Sequence, residues 1–266
     1  LGFAFVSASN LLAVLIPKFV GKSVDLIASK SFSMDEVLLL IFGILLLTLT
    51  SGFLMYLTRK QIIVVSRYVE YDLRREFVAK ISRQPFSFFT ERPTGELMSL
   101  ATNDISAVRE FIGPAIMYSA NTVTTFVLVL IFMLSLDAQL TFFSLLPLPL
   151  ITLTTYYIGA RIHSVFKDVQ SQFAELTTQA QETFSGIRLV KSYVREIYEA
   201  KRFEKLSEAY KKKNLKLEFF YSLMIPLLLV LIGISQLIVV GVGGYRVIKG
   251  TMTLGNVSQF FIYINI

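Results

Sequence analysis

The order of apolar and charged positions divides the chain into long segments without any Asp, Glu, Lys or Arg, separated by segments rich in all four. The uncharged segments run from Leu1 to Pro17, Val37 to Thr58, Phe111 to Leu136, Ala138 to Ala160, Phe219 to Tyr245 and Gly250 to Ile266. An α-helix needs about 20 predominantly apolar residues to cross ~30 Å of hydrocarbon, so the four inner segments are complete spans. The first and last are shorter. With no initiator Met, the chain is expected to begin and stop within the first and sixth helices of a longer protein. A secretory signal would put a basic leader ahead of the first segment, and that leader is missing. The pattern predicts an all-α membrane protein with six long transmembrane helices.

Two of the connections are long, 52 residues from Arg59 to Glu110 and 58 from Arg161 to Glu218. If the spans alternate in direction, both lie on one face, where they carry 21 of the 26 basic and 15 of the 19 acidic residues. A basic excess marks the cytoplasmic side, so the N-terminus is expected inside a cell membrane. Asp25, Lys30, Asp35, Glu36 and Asp137 fall at short turns on the opposite face, with Lys18 and Lys22 near the end of the first span. Arg246 and Lys249 also fall there and weaken the rule locally, although either could snorkel to the headgroups. The net charge of +7 is thus sorted by membrane side, which removes nucleic acid as the reason for it and names the lipid bilayer instead. Cysteine is absent, which excludes disulfides and thiolate metal sites.

The long insertions are dominated by Glu, Lys, Arg, Gln, Leu and Ala, which are helix formers. No proline interrupts the chain from Val37 to about Gln84, and a helix of that length is a ~70 Å rod. Similar rods are expected from about Thr94 to Leu136, Ala138 to Phe184 and Lys191 to Tyr245, kinked at Pro114, Pro147, Pro149 and Pro226. Each insertion becomes a helix going out, a turn and a helix returning. The first turn lies between Pro85 and Pro93, the second near Gly186, and both elbows stand ~35 Å beyond the bilayer. Such levers suit a motor that acts on a membrane pathway. A membrane-anchored scaffold of coiled-coil stalks is the other reading, although the sustained heptads it needs are not evident.

The elbows carry distinctive segments. Pro85-Phe86-Ser87-Phe88-Phe89-Thr90-Glu91-Arg92-Pro93-Thr94-Gly95-Glu96-Leu97-Met98-Ser99 precedes Asn103-Asp104. Glu182-Thr183-Phe184-Ser185-Gly186-Ile187-Arg188-Leu189-Val190-Lys191-Ser192-Tyr193 precedes Glu196 and Arg202-Phe203. Gly250-Thr251-Met252-Thr253-Leu254-Gly255-Asn256 leads to Phe260 and Tyr263. In this order, the three segments resemble the transmembrane domain of ABC exporters of the multidrug and lipid A flippase type, which includes P-glycoprotein. Leu100, where that family commonly has Arg, and Thr90, where it often has Asp, depart from the pattern.

The resemblance implies that Phe88 to Pro93, with Phe89, Thr90, Glu91 and Arg92, form a first coupling helix that seats in an ATPase domain. It implies a second from Gly186 to Tyr193, with Ile187, Arg188, Val190 and Lys191. It further implies that residues 1–266 form one transmembrane domain, that a nucleotide-binding domain follows, and that a second copy or a homologous half transporter completes the pathway. Large apolar side chains at the tip of a charged rod agree with an interface, and packing within the bundle is the alternative.

No Gly-x-x-x-x-Gly-Lys-[Ser/Thr] occurs, so ATP and Mg are expected on the nucleotide-binding domain and this chain holds no cofactor or metal and catalyses nothing alone. His163 is the only histidine and is read as a solvent-facing helix residue. Polar residues within the spans are neutral, and Asn121, Thr124, Thr125, Thr154 and Gln236 are the candidate cavity residues; bonding between helices is the other role for such groups. Ionisable residues at span centres would point to a proton relay, and none is there. The implied function is ATP-driven export of amphipathic or apolar cargo by alternating access, the alternative being a peptide-uptake permease of the same fold without an ATPase.

Overall fold

A computed structural model describes residues 2–29 and 33–266. Leu1 and Lys30, assigned above to the first span and to a short turn, lie outside the described residues. The described chain is helical throughout, with no strand. Helix α1 is Gly2–Ala28 and α2 is Met34–Ile81, 48 residues and so ~72 Å long. Short α3, Phe86–Glu91, leads to α4, Thr94–Leu136. Next come α5, Ala138–Leu145, α6, Leu148–Ser185, and short α7, Ile187–Ser192. Helix α8 is Glu196–Ile248 and α9 is Leu254–Asn265. Among the described residues, five stretches are long and apolar enough to cross a membrane: α1, α2, α4, α5 with α6, and α8. The 12 residues of α9 are too few to span alone.

Capping explains where α2 starts. The Ser33 hydroxyl accepts the Glu36 N–H at 3.2 Å, and the Glu36 carboxylate accepts the Ser33 N–H at 3.3 Å. This reciprocal pair satisfies two of the orphan donors of a helix N-terminus. Prolines act differently from one another. Pro114 lies in a π-turn, Phe111–Ala115, and Pro147 stands where α5 and α6 are interrupted. Pro149 occupies the first turn of α6, where a missing N–H costs nothing, and Pro226 lies in an unbroken helix. Pro149 and Pro226 therefore break no helix.

The chain forms two compact units, one of residues 1–141 with 239–266 and one of residues 142–238. In the first, Val14, Val129, Met133, Leu140, Val239, Met252, Phe260 and Tyr263 form the core. Polar ties fix its helices: Ser9 donates to the Ser51 carbonyl at 2.9 Å, Ser51 donates back to the Ser9 carbonyl at 3.1 Å, and Tyr263 donates to the Val14 carbonyl at 2.9 Å. Glycine permits close crossings. A Cβ on Gly113 of α4 would lie 2.6 Å from the Ser66 hydroxyl of α2. One on Gly255 of α9 would overlap the Gly21 carbonyl and the Asp25 carboxylate of α1. That carboxylate accepts the Gly255 N–H at 2.6 Å and the Thr253 hydroxyl at 2.8 Å, so α1 caps α9.

Arg246 has a partner within the protein. It pairs with Asp137 and donates to Gln139, and both members of the ion pair have only 20% of their side chains exposed. Asp137 also accepts the Leu140 N–H at 2.7 Å, so one carboxylate begins α5 and holds α8. The nearby partner satisfies the guanidinium, which removes the reason to reach for headgroups. Lys249 lies over the Tyr245 ring at 4.6 Å.

In the second unit, α6 and α8 pack against each other through Val165, Val169 and Leu217, with Ile162, Tyr210 and Phe220 beside them. Gln172 and Gln179, both buried, bridge the pair. Gln172 accepts from Lys213 at 2.9 Å, and Gln179 donates to Glu199 at 2.9 Å. A cleft of about 780 Å3 opens between these two helices, lined by Glu175, Glu182, Arg202 and Lys205 among others.

Candidate functional site

At the first elbow, α2 ends at Ile81 and α3 begins after Pro85, whose fixed φ of −67° suits the entry to a helix. The six residues Phe86–Glu91 form one and a half turns, and Arg92 leaves the helix extended at φ −121° ahead of Pro93, as residues before proline do. The sequence reading set this helix at Phe88 to Pro93, two residues too late. Phe88 and Phe89 meet edge to face with centroids 5.5 Å apart, and the Arg92 guanidinium lies 5.0 Å from the Phe88 ring. Phe88 is therefore half-buried under its own neighbours, while Phe89 is exposed. Thr90 donates to the Phe86 carbonyl at 3.2 Å, closing the turn, and Glu91 is exposed beside it.

Phe86, part of the elbow segment but ahead of the residues expected in its helix, is the most exposed aromatic of the elbow, at 86%. Its position directly after Pro85, at the first helical residue, was the signal: a side chain there has no preceding turn to cover it.

The second elbow is α7 between Gly186 and Tyr193, matching the expected limits. Ile187, Arg188, Val190 and Lys191 lie in the helix, with Val190 half-buried and the other three exposed. Tyr193, at its C-cap, is 73% exposed. The next rod starts at Glu196, five residues later than expected from Lys191, because Val194 takes a positive φ of 51° and turns the chain. Lys191 pairs with Glu196 at 3.1 Å, and Arg195 stacks on Tyr198 at 4.4 Å. The Glu196 carboxyl is held below the usual range, first by its own backbone N–H at the helix N-terminus and then by Lys191.

The rod behind the first elbow is fastened by a charge cluster that the sequence reading did not single out. Glu70 of α2, with 8% of its side chain exposed, meets Arg67 at 3.1 Å, Arg74 at 2.8 Å and Arg109 of α4 at 3.3 Å. Arg109 also pairs with Glu110 at 3.0 Å, and Arg74 reaches Ser106 at 3.4 Å. The signal was the i, i+3 and i, i+4 spacing of Arg67, Glu70 and Arg74; the partner from α4 could not be read from spacing.

Of the candidate cavity residues, Asn121, Thr124 and Thr125 share one face of α4 in the first unit, all half-buried. The Asn121 carbonyl accepts from Asn10 of α1 at 3.2 Å, so that residue also ties helices. Thr154 and Gln236 belong to the second unit and are half-buried. The cleft between α6 and α8 is lined by other residues. His163 is exposed, as expected. Among the described residues, no three His, Cys, Asp or Glu side chains are grouped to hold a metal.

The family model for the ABC transporter transmembrane region matches residues 1–266. The chain belongs to this family. Its relatives include the multidrug resistance-like ATP-binding protein MdlA of Escherichia coli, 29% identical over 96% of this chain and 44% of that protein. The probable multidrug resistance ABC transporter ATP-binding/permease protein YheI of Bacillus subtilis is 28% identical over 97% of this chain and 44% of that protein. An ATP-dependent lipid A-core flippase of Syntrophus aciditrophicus is 30% identical over 82% and 36%. This chain thus spans less than half the length of these relatives. As a member of the family it is a multi-pass, all-α membrane domain.

Proposed function

We propose that this chain is the pathway-forming domain of an exporter driven by ATP. Cargo moves through a cavity that opens alternately to the two sides of a cell membrane, and the elbows lie in the cytoplasm. The observation that carries the reading is the pair of short helices, α3 and α7, each at the end of a long helical rod and each bearing exposed aromatic or aliphatic side chains. Water does not favour such groups at a charged tip, and a protein groove does.

The ATPase that supplies this groove lies outside residues 1–266, in line with relatives more than twice as long whose names include ATP-binding. ATP and Mg bind there, and no residue of this chain is assigned to them. A second copy or a related half completes the cavity, since closed twofold pairs are the commonest assembly. The cargo is amphipathic or apolar, because the candidate cavity residues carry hydroxyl and amide groups and no charge.

Full-length protein in inside-out vesicles tests the reading. ATP-dependent accumulation of a fluorescent amphipathic dye is expected, and a small multiply charged solute should be left outside. Preference for the charged solute would refute the cargo class, and a protein that hydrolyses no ATP would refute the exporter.

A further inference from the structure

Valine at the exit of the second elbow occupies a position whose backbone favours glycine. Gly186, at the entry, has φ −94°, and a Cβ there would lie 3.2 Å from the Glu182 carbonyl, a close approach that suits glycine. Val194, at the exit, has φ 51°, in the left-handed region where glycine is at home and a β-branched residue is strained. The backbone around it closes as at a helix C-terminus: Val194 donates to the Lys191 carbonyl at 3.3 Å and Arg195 to the Val190 carbonyl at 2.9 Å. A glycine would complete this turn without strain.

The valine side chain gains nothing from the chain itself, because Val194 is 80% exposed. Its neighbours are similarly bare: Leu189 at 64%, Tyr193 at 73% and Ile197 at 74%. Leu189 and Tyr193 are four residues apart, as are Tyr193 and Ile197, so an apolar series runs from α7 through the strained turn into the first turn of α8. Two costs meet at Val194, a strained backbone and an uncovered apolar side chain, and neither is offset within the described residues. Strain of this kind persists at sites where a partner or ligand uses it.

We propose that the surface covered by the ATPase domain continues past α7 to Val194 and Ile197, and that Val194 is its positioning residue. Its side chain and that of Tyr193 are adjacent and both exposed, so one groove can cover both. This rests on the reading of the elbow as an ATPase-docking element and extends it to two residues the sequence motif does not include.

The test uses the full-length protein in detergent with Val194→Gly, Val194→Asn and Val194→Ile. Glycine relieves the strain and removes the side chain; asparagine tolerates the left-handed turn and is polar; isoleucine keeps both features of valine. Nucleotide-free melting temperature is expected to rise by about 2–4 °C for the glycine variant above wild type, the shift ordinary for one strained residue relieved in a large domain, and to stay put for isoleucine. Cargo-stimulated ATP turnover is expected to fall at least fivefold for glycine and asparagine and to be retained by isoleucine. A glycine variant with full stimulated turnover overturns the proposal. A wild-type protein without ATP turnover refutes the docking role and with it the proposal, while the melting order of glycine above isoleucine still measures the strain.

Discussion

Glu70 shows what a single residue does where two long helices pack through charged groups. Three guanidinium groups converge on its carboxylate, and only Arg109 among them is largely buried, with 15% of its side chain exposed. The exposed partners, Arg67 and Arg74, are screened by water and contribute little each; the buried one shares its charge between Glu70 and the exposed Glu110. Glu70→Ala is therefore expected to destabilise the paired α2 and α4 segments by about 2 kcal/mol, below the cost of a fully buried charge left alone. Glu70→Ala with Arg109→Leu should recover much of that loss, which thermal unfolding in detergent would record. Glu196 supplies a second residue-scale expectation. Its folded pKa is depressed, so its contribution is complete above the ordinary carboxylate range and is lost as pH falls through the depressed value. Carboxyl chemical shifts should show Glu196 titrating below the ordinary glutamate range, and Lys191→Ala should move it part of the way back up.

Whole helices were legible in the sequence wherever charge or proline marked their ends. The 48-residue length of α2 was expected at 37–84 and is found at Met34–Ile81, the earlier start coming from a capping box at Ser33 that hydropathy does not register. The start of α8 was missed because a left-handed valine has no signature in composition. Prolines marked breaks only where neighbouring structure yielded, at Pro147 and at the π-turn around Pro114. The elbows were legible because their motifs carry aromatic and glycine residues in a fixed order. The pairing of Arg246 with Asp137 was not, since 109 residues separate them. Close crossings were hidden too, and they yield a prediction on elements. Gly113→Leu should force α2 and α4 apart at Ser66, where even a Cβ has no room, lowering stability by about 1–3 kcal/mol as overpacking does. Double electron–electron resonance between labels on the two helices should report a longer distance.

At the scale of the molecule, docking and cargo selection are assigned to different residues, and mutation can separate them. Phe89 of α3 and Tyr193 beside α7 are exposed aromatics at the two elbows, while Thr124 and Thr154 lie half-buried within apolar stretches of α4 and α6. Aromatic hot spots at interfaces are worth about 2 kcal/mol or more when truncated, and that corresponds to roughly 30-fold weaker docking. Phe89→Ala with Tyr193→Ala in the full-length protein should therefore lower cargo-stimulated ATP hydrolysis steeply while equilibrium binding of an amphipathic dye is retained. Thr124→Ala with Thr154→Ala should do the opposite, changing which dyes are bound and exported and leaving hydrolysis responsive to those that still bind. Uptake into vesicles, dye fluorescence and phosphate release measure the three quantities on one preparation. If the elbow pair keeps full stimulated hydrolysis and transport, α3 and α7 are not the contacts through which the ATPase acts, and the exposed side chains at both tips require another partner.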